Sequence, residues 1–465
     1  MKKWLVLTLA IVAVLAFAAC GNDDGGTAGG GGGAAEGGGG AAGGGGGAAA
    51  AGRTTINLWS FTDEVPRMVE RYKEMNPDFA ERFNVVPNIV ATDDGAYQLA
   101  LDMALVGGGA DMPDIFTAES AFVIRYTQGD MSQFAATYSD VGIANLSGRI
   151  ADARIAPYIV DMGTRNGDVV GLAFQHTGSG VIYRRSLAQE VWGTDDPVYV
   201  GSRIGPGWDR FFDAARDMYA SGFAMVSGAG DVWQAVRNTG GPWIVDGSLN
   251  IHPDRMAHFD FARILYQENL MNDAGAWSSA WFADMGGVGE RPVFGFLGPA
   301  WLINHVMAGN AGDTYGDWGV AVPPVGFSWG GTWVIPSTNA TRNADVSEGV
   351  RRILEWITLD TSMDGLQQHW ANGTLFPGSV LKDAVASGVV MDRSDGTLPF
   401  LGGMDMFDTF IPAGEFADGT LFTQHDEFIN ARFEENAMNY ARGDMTREEA
   451  LANFRTLVSE TLGIN

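Results

Sequence analysis

Trp243, Trp277, Trp281, Trp301, Trp329 and Trp333 lie in glycine- or proline-containing surroundings, and Trp59 stands near the end of a β-rich run, "TTINLWSF". A flat indole offers a large rigid face and a single N–H donor. Such faces suit the apolar C–H faces of sugar rings, leaving nearby amides and carboxylates to bind the hydroxyls. Core packing is the competing role for any one of these side chains.

Bond-making chemistry leaves no comparable mark. None of the four lysines follows a glycine, so there is no P-loop. "HTGSGV" at 176–181 lacks the spacing of a nucleophile elbow. The six histidines include no i, i+4 pair, and neither "DRSDG" nor "TDDG" has the ligand spacing of a calcium loop. With 56 acidic residues, an acid pair for glycoside hydrolysis cannot be read out by counting. No catalytic residue, metal or cofactor is expected.

Cys20 is the only cysteine, so it cannot form a disulfide within the chain. Lys2 and Lys3 precede an apolar run from Trp4 to Phe17, and small residues lead into Cys20. The run is shorter than the roughly 20 residues that span a bilayer. The segment resembles a bacterial lipoprotein signal: cleavage after residue 19 and lipid on Cys20 are expected. Residues 25–52 are almost wholly Gly and Ala and cannot bury enough apolar area to offset their ordering entropy. They read as a tether spanning roughly 30 Å. A net charge of −27 argues against nucleic acid and against a basic membrane-binding face.

The elements that would position the tryptophans begin at residue 53. After the first strand, Val65, Met68, Val69, Tyr72 and Met75 fall at helical spacing, and Asn76-Pro77 is a stop. "FNVVPNIVA", a helix over about 96–105, and a loop running into the strand of "PDIFTAES" follow. "SGVIYRRS", "WGVAVPPV" and "GTWVIPS" predict further strands, and 208–220 and 346–359 predict helices. The last helix opens with a capping box, Thr446 to Glu449. This alternation predicts an α/β fold with largely parallel sheets, and the length predicts two lobes.

The order of these segments resembles the extracellular solute-binding proteins of ABC importers, specifically the large family that binds sugars and oligosaccharides. The likeness runs through nearly all of 53–465. It is carried by "INLWSF" with the helix ending in "MNPDF", by "YQLALDMALVGGGADMPDIFTAES", by "GLAFQHTGSGVIYRRSL", by "IGPGWDRFFDAARDM", by "VFGFLGPAWLINH" and by "YGDWGVAVPPVGFSWGGTWVIP". Arg184, Arg210 and Ala300 depart from the family pattern.

The resemblance implies a two-lobed periplasmic-binding-protein-like fold of type II, with ligand in the cleft between lobes and several crossing segments. The expected lobes are 53–173 with 331–402, and 174–330 with 403–465, crossing near 172–177, 326–331 and 401–412. By position, Trp59 and Trp301 would stack on sugar faces, Glu119 would accept hydroxyl hydrogen bonds, and Gln175 would bind from a crossing strand. Gly331 would allow close backbone approach beside Trp333; His176 and Trp243 come next. The expected protein is a non-catalytic, extracytoplasmic, lipid-anchored monomer. It would capture a carbohydrate for a permease and touch the membrane only through the anchor. A peptide, polyamine or polyol on the same fold is the alternative, and a secreted polysaccharide hydrolase a more distant one.

Overall fold

β1 (Thr54–Ser60) alternates in burial, with Ile56, Leu58 and Ser60 turned into the core and Trp59 half-buried on the other face. The computed structural model describes residues 52–379 and 381–464; the Cys20 and tether expectations lie outside the described residues. After β1 the expected helix runs Glu64–Met75, burying Val65, Met68, Val69 and Tyr72. The Asn76-Pro77 stop also starts a helix: Pro77 occupies the first turn of Pro77–Arg82, where its missing N–H costs nothing.

β2 (Phe83–Ile89) and β3 (Ile115–Glu119) flank β1 in parallel. A hairpin of β4 (Thr164–Arg165) and β5 (Asp168–Val169) precedes β6 (Leu172–Ala173), which pairs with the antiparallel β12 (Thr332–Pro336). The first sheet therefore has the order β2-β1-β3-β12-β6. The helix Ala344–Leu354 packs on it through Val346, Val350 and Ile353. At Gly349 any Cβ would lie 2.5 Å from the Ile56 side chain, so glycine sets how closely this helix approaches β1.

The second sheet departs from the parallel expectation. β7 (Gly180–Arg184) pairs antiparallel with both β10 (Gly295–Gly298) and β11 (Trp318–Ala321). Parallel pairing survives beside it only as isolated bridges, Ala224 with Val293 and Val226 with Met271. Sheet direction depends on the routing of chain far apart in sequence, and the local pattern of β10, four residues long, carries none of that. A second hairpin, β8 (Ile244–Val245) with β9 (Ser248–Leu249), leads to the helix Pro253–Gln267, which packs on Asp426–Arg442. The final helix, Arg447–Leu462, opens with the expected capping box: Thr446 Oγ1 accepts from the Glu449 N–H while the Glu449 carboxylate accepts from the Thr446 N–H. All described residues belong to one compact unit. None of their helices is long and apolar enough to cross a membrane.

Candidate functional site

Two extended segments run between the sheets and bond to each other. Trp329 N donates to Thr177 O (3.1 Å) and Ser179 N to Phe327 O (3.0 Å), with Gly178 facing Ser328. Gly178 is required here, because an added Cβ would stand 2.5 Å from the Gly414 backbone nitrogen. The second segment ends at Gly331 (φ +107°), whose carbonyl accepts from Ser120 N just past β3. A Cβ on Gly331 would come 3.2 Å from Thr177 and 3.3 Å from the Trp333 ring.

Aromatic rings gather on these segments. Trp301 Nε1 donates to the Trp329 carbonyl (2.9 Å), and the two rings meet edge to face at 4.9 Å. The indole lies over Gly330 (φ +78°), where a Cβ would be 2.7 Å from Trp301 Nε1. The Trp301 ring thus points toward the crossing chain. Trp277 lies parallel to Trp301, within 5° at 6.3 Å.

Beside this wall, polar groups from distant parts of the chain converge. Glu64, at the start of its helix, and Asp383 both face His305: Glu64 Oε1 is 3.4 Å and Asp383 Oδ2 3.9 Å from His305 Nε2. Gln175 Nε2 donates to Asp383 Oδ2 (3.2 Å), and Ala384 N donates to Oδ1 (2.8 Å). Burial, reinforced by Asp383 and Asp63 and opposed by Arg67, pushes the Glu64 carboxyl up to about 8. Burial likewise raises Asp383 to about 7, against the Gln175 and Ala384 hydrogen bonds. His305 is held below its usual value, by burial first and then by Arg67. Acceptors, an amide donor and an imidazole brought this close together can bind hydroxyls. Among the described residues no group of three or more His, Cys, Asp or Glu could hold a metal ion.

A cavity of about 160 Å³ opens on the far side of Glu119, lined by Ser120, Ala121, Arg237, Asp426, Asn430 and Glu434, among others. Glu119 accepts from Ser120 Oγ (2.8 Å) and Ala121 N (2.7 Å), which together with Arg237 oppose the upward push of burial. Burial depresses Arg237 and raises Asp426 to about 6. Each partly offsets the other, and Glu119 and Glu434 also support the guanidinium. Asn238 ties this helix end to the crossing chain by donating to Ser328 O. Larger hollows, about 530 Å³ by Tyr72 and Trp356 and about 700 Å³ by Leu249 and Met256, lie on other surfaces.

Of the residues expected by position, Gln175, Trp301, Gly331 and Glu119 line or border this seam. Trp59 stays half-buried on β1. His176 is enclosed, with its ring against Gly414 and its pKa pushed down to about 4 by burial. Trp243 is fully buried among Phe433 and Phe454, under the Arg255 guanidinium at 4.4 Å. Its Nε1 donates to Asn430 Oδ1, so it acts on the cavity through Asn430. Trp333 is buried too, donating to Ile159 O. Glu64, Asp383, His305 and Arg237 escaped the sequence reading. Glu64 reads as an ordinary first-turn helix acid and Arg237 as a solvated helix end; Asp383 and His305 carry no local signal.

The chain matches the family model described as bacterial extracellular solute-binding protein over residues 59–363. It is 23% identical to a lactose-binding protein of Rhizobium radiobacter over 413 residues, covering 82% of this chain and 87% of that one. The galacto-N-biose-/lacto-N-biose I-binding protein of the ABC transporter from Bifidobacterium longum superposes with a TM-score of 0.65 at 16% identity, covering 89% and 98% of the two chains. The sugar-binding protein MalE of Xanthomonas citri gives 0.64 at 14% identity, covering 88% and 98%. Hydrolase chemistry is therefore set aside: the chain belongs to the bacterial extracellular solute-binding proteins, the non-catalytic binding components of ABC transporters.

Proposed function

We propose that this protein captures a carbohydrate, an oligosaccharide in particular, between two α/β lobes and delivers it to the permease subunits of an ABC importer. The lobes are 53–173 with 331–402, and 174–330 with 403–465. One observation carries the reading: the seam between the two sheets joins a tryptophan wall to a set of carboxylate, amide and imidazole groups, of which Gln175 and Asp383 are buried while His305 reaches solvent. Indoles cover the C–H faces of a sugar while the polar groups take its hydroxyls. The relatives named for lactose and lacto-N-biose support the same class of ligand.

Trp301, Gln175, Glu119 and Gly331 contact the ligand directly. Trp59, His176, Trp243 and Trp333 complete and support the site. A ligand that touches both lobes only when they are closed shifts the population toward the closed form. Cys20 carries lipid and anchors the protein, as a monomer, outside the cytoplasmic membrane, with residues 20–52 as the tether.

A cationic solute such as a polyamine is the second reading, favoured by the carboxylates of Asp426, Glu427 and Glu434 around one cavity. Thermal melting against a panel of galactosides, maltodextrins, peptides and polyamines separates the two. A ligand that binds only the native state at 100 times its Kd stabilises by about 2.7 kcal/mol. A rise with a saccharide supports the proposal; a rise with polyamines alone replaces it.

A further inference from the structure

Three tryptophans step outward from the seam. Trp329 is 9% exposed, Trp301 is half-buried, and Trp277 is 54% exposed, the most exposed aromatic of the cluster. Trp277 also has φ +68°, a left-handed backbone that is uncommon for a bulky side chain, costs energy, and persists only where the surroundings impose it.

The surroundings do impose it. Asn272 N and Ala274 N both donate to Ser227 O, and the Asn272 amide donates to Asp284 Oδ1 (2.8 Å) and Arg291 O (2.9 Å). Ser227 Oγ donates to the other Asp284 oxygen (2.5 Å). On the following side, Ser278 caps the helix Ser279–Met285, and Trp281 is fixed by donating to the buried Asp231 (3.0 Å). Trp277 rests on Trp281 at 5.5 Å and meets Trp329 and Phe282 edge-on at 6.4 and 6.5 Å. A rigid frame thus holds one indole at an unfavourable backbone conformation, parallel to Trp301 and open to solvent.

We infer that Trp277 is an outer stacking position of the ligand site, which selects saccharides long enough to reach past Trp301. This rests on the carbohydrate reading above and narrows it. The two rings are parallel with centroids 6.3 Å apart, so the exposed Trp277 ring gives a chain held at Trp301 a further flat face on the solvent side for its next unit. A folded protein or peptide partner is the competing occupant, and the test separates them.

Isothermal titration of the full chain with galactose, lactose, maltose, maltohexaose and longer galacto-oligosaccharides reads the effect directly. Trp277→Gly removes the ring and suits the positive φ; Trp277→Phe keeps a flat ring. Trp277→Gly is expected to weaken the longest ligand bound by about tenfold, the value of one good stacking contact, and the shortest by less than about twofold. Trp277→Phe is expected to recover most of that loss, and both variants to melt within a few degrees of the unsubstituted chain. Equal losses at every length, or none at any length, overturn the inference, as does a chain that binds saccharides no longer than a disaccharide. If the unsubstituted chain binds peptides and no saccharide, the carbohydrate reading itself falls, and this one with it.

Discussion

Glu64 Oε1 stands 3.4 Å from His305 Nε2 across 241 residues of sequence, and that oxygen is buried without a hydrogen-bond partner among the described residues. Glu64 follows β1 of the first sheet, whereas His305 follows β10 of the second. The contact is therefore a direct link between the two halves of the fold, made by groups whose charge depends on pH.

Its pH dependence has a definite sign. The folded-state carboxyls of Glu64 (about 8) and Asp383 (about 7) both lie above their ordinary values of 4.5 and 3.8. Their contribution to stability is complete below those ordinary values and is lost as pH rises through the folded ones. His305, held low by burial, works the other way and loses its contribution as pH falls. Asp63 and Arg67 face the same group with opposite effects on Glu64. Glu64→Gln mimics the protonated acid, so its melting temperature relative to the unsubstituted chain should rise between pH 5 and pH 8.5, by at least about 2 °C. A constant difference across that range would refute this assignment.

Trp301 and Trp243 should separate in a binding assay. Trp301→Ala removes the ring over Gly330 and should weaken saccharide binding about tenfold or more, with a modest loss of stability. Trp243→Ala empties a core site and should cost about 3–5 kcal/mol of stability in denaturant unfolding. Its effect on affinity should be smaller than that of Trp301→Ala, because it reaches the cavity only through Asn430.

Gly178→Ala places a methyl 2.5 Å from backbone, where nothing can rotate away. Overpacking of this kind costs about 1–3 kcal/mol, read as a lower denaturant midpoint. Gly309→Ala is the matched control: among the described residues nothing beyond its chain neighbours and own helix backbone lies within 4 Å of the new Cβ, and helix propensity favours alanine. It should leave the midpoint unchanged or raise it.

The anchor proposal is tested by cell fractionation. Cys20→Ser should move the protein from the membrane fraction to the soluble or secreted one. Unchanged membrane association would remove Cys20 as the anchor.

Much of the first sheet was legible because its strands are short β-rich runs bounded by helices with clear starts and stops, as at Thr54–Ser60 and Glu64–Met75. The second sheet was harder: β10 is only Gly295–Gly298, and its direction depends on β7 more than 100 residues earlier. Of the tryptophans, Trp243, Trp301 and Trp333 look alike in sequence. A neighbouring glycine does not report which face of an element meets the core, and the structure buries two of the three completely. The polar half of the seam was illegible for a different reason. Glu64, His305 and Asp383 meet only because the chain crosses between the sheets, and no local spacing encodes that meeting.

The most direct test of the account is a tryptophan-fluorescence titration of the full chain with lactose, maltose and longer oligosaccharides of each series, repeated on Trp301→Ala. Binding at the Trp277–Trp301–Trp329 wall predicts a saturable change with at least one saccharide, strongly weakened in the variant, with the sugar recovered unaltered. Saturable binding that survives Trp301→Ala at full affinity would contradict the site. A response to peptides or polyamines, with none to any saccharide, would contradict the ligand.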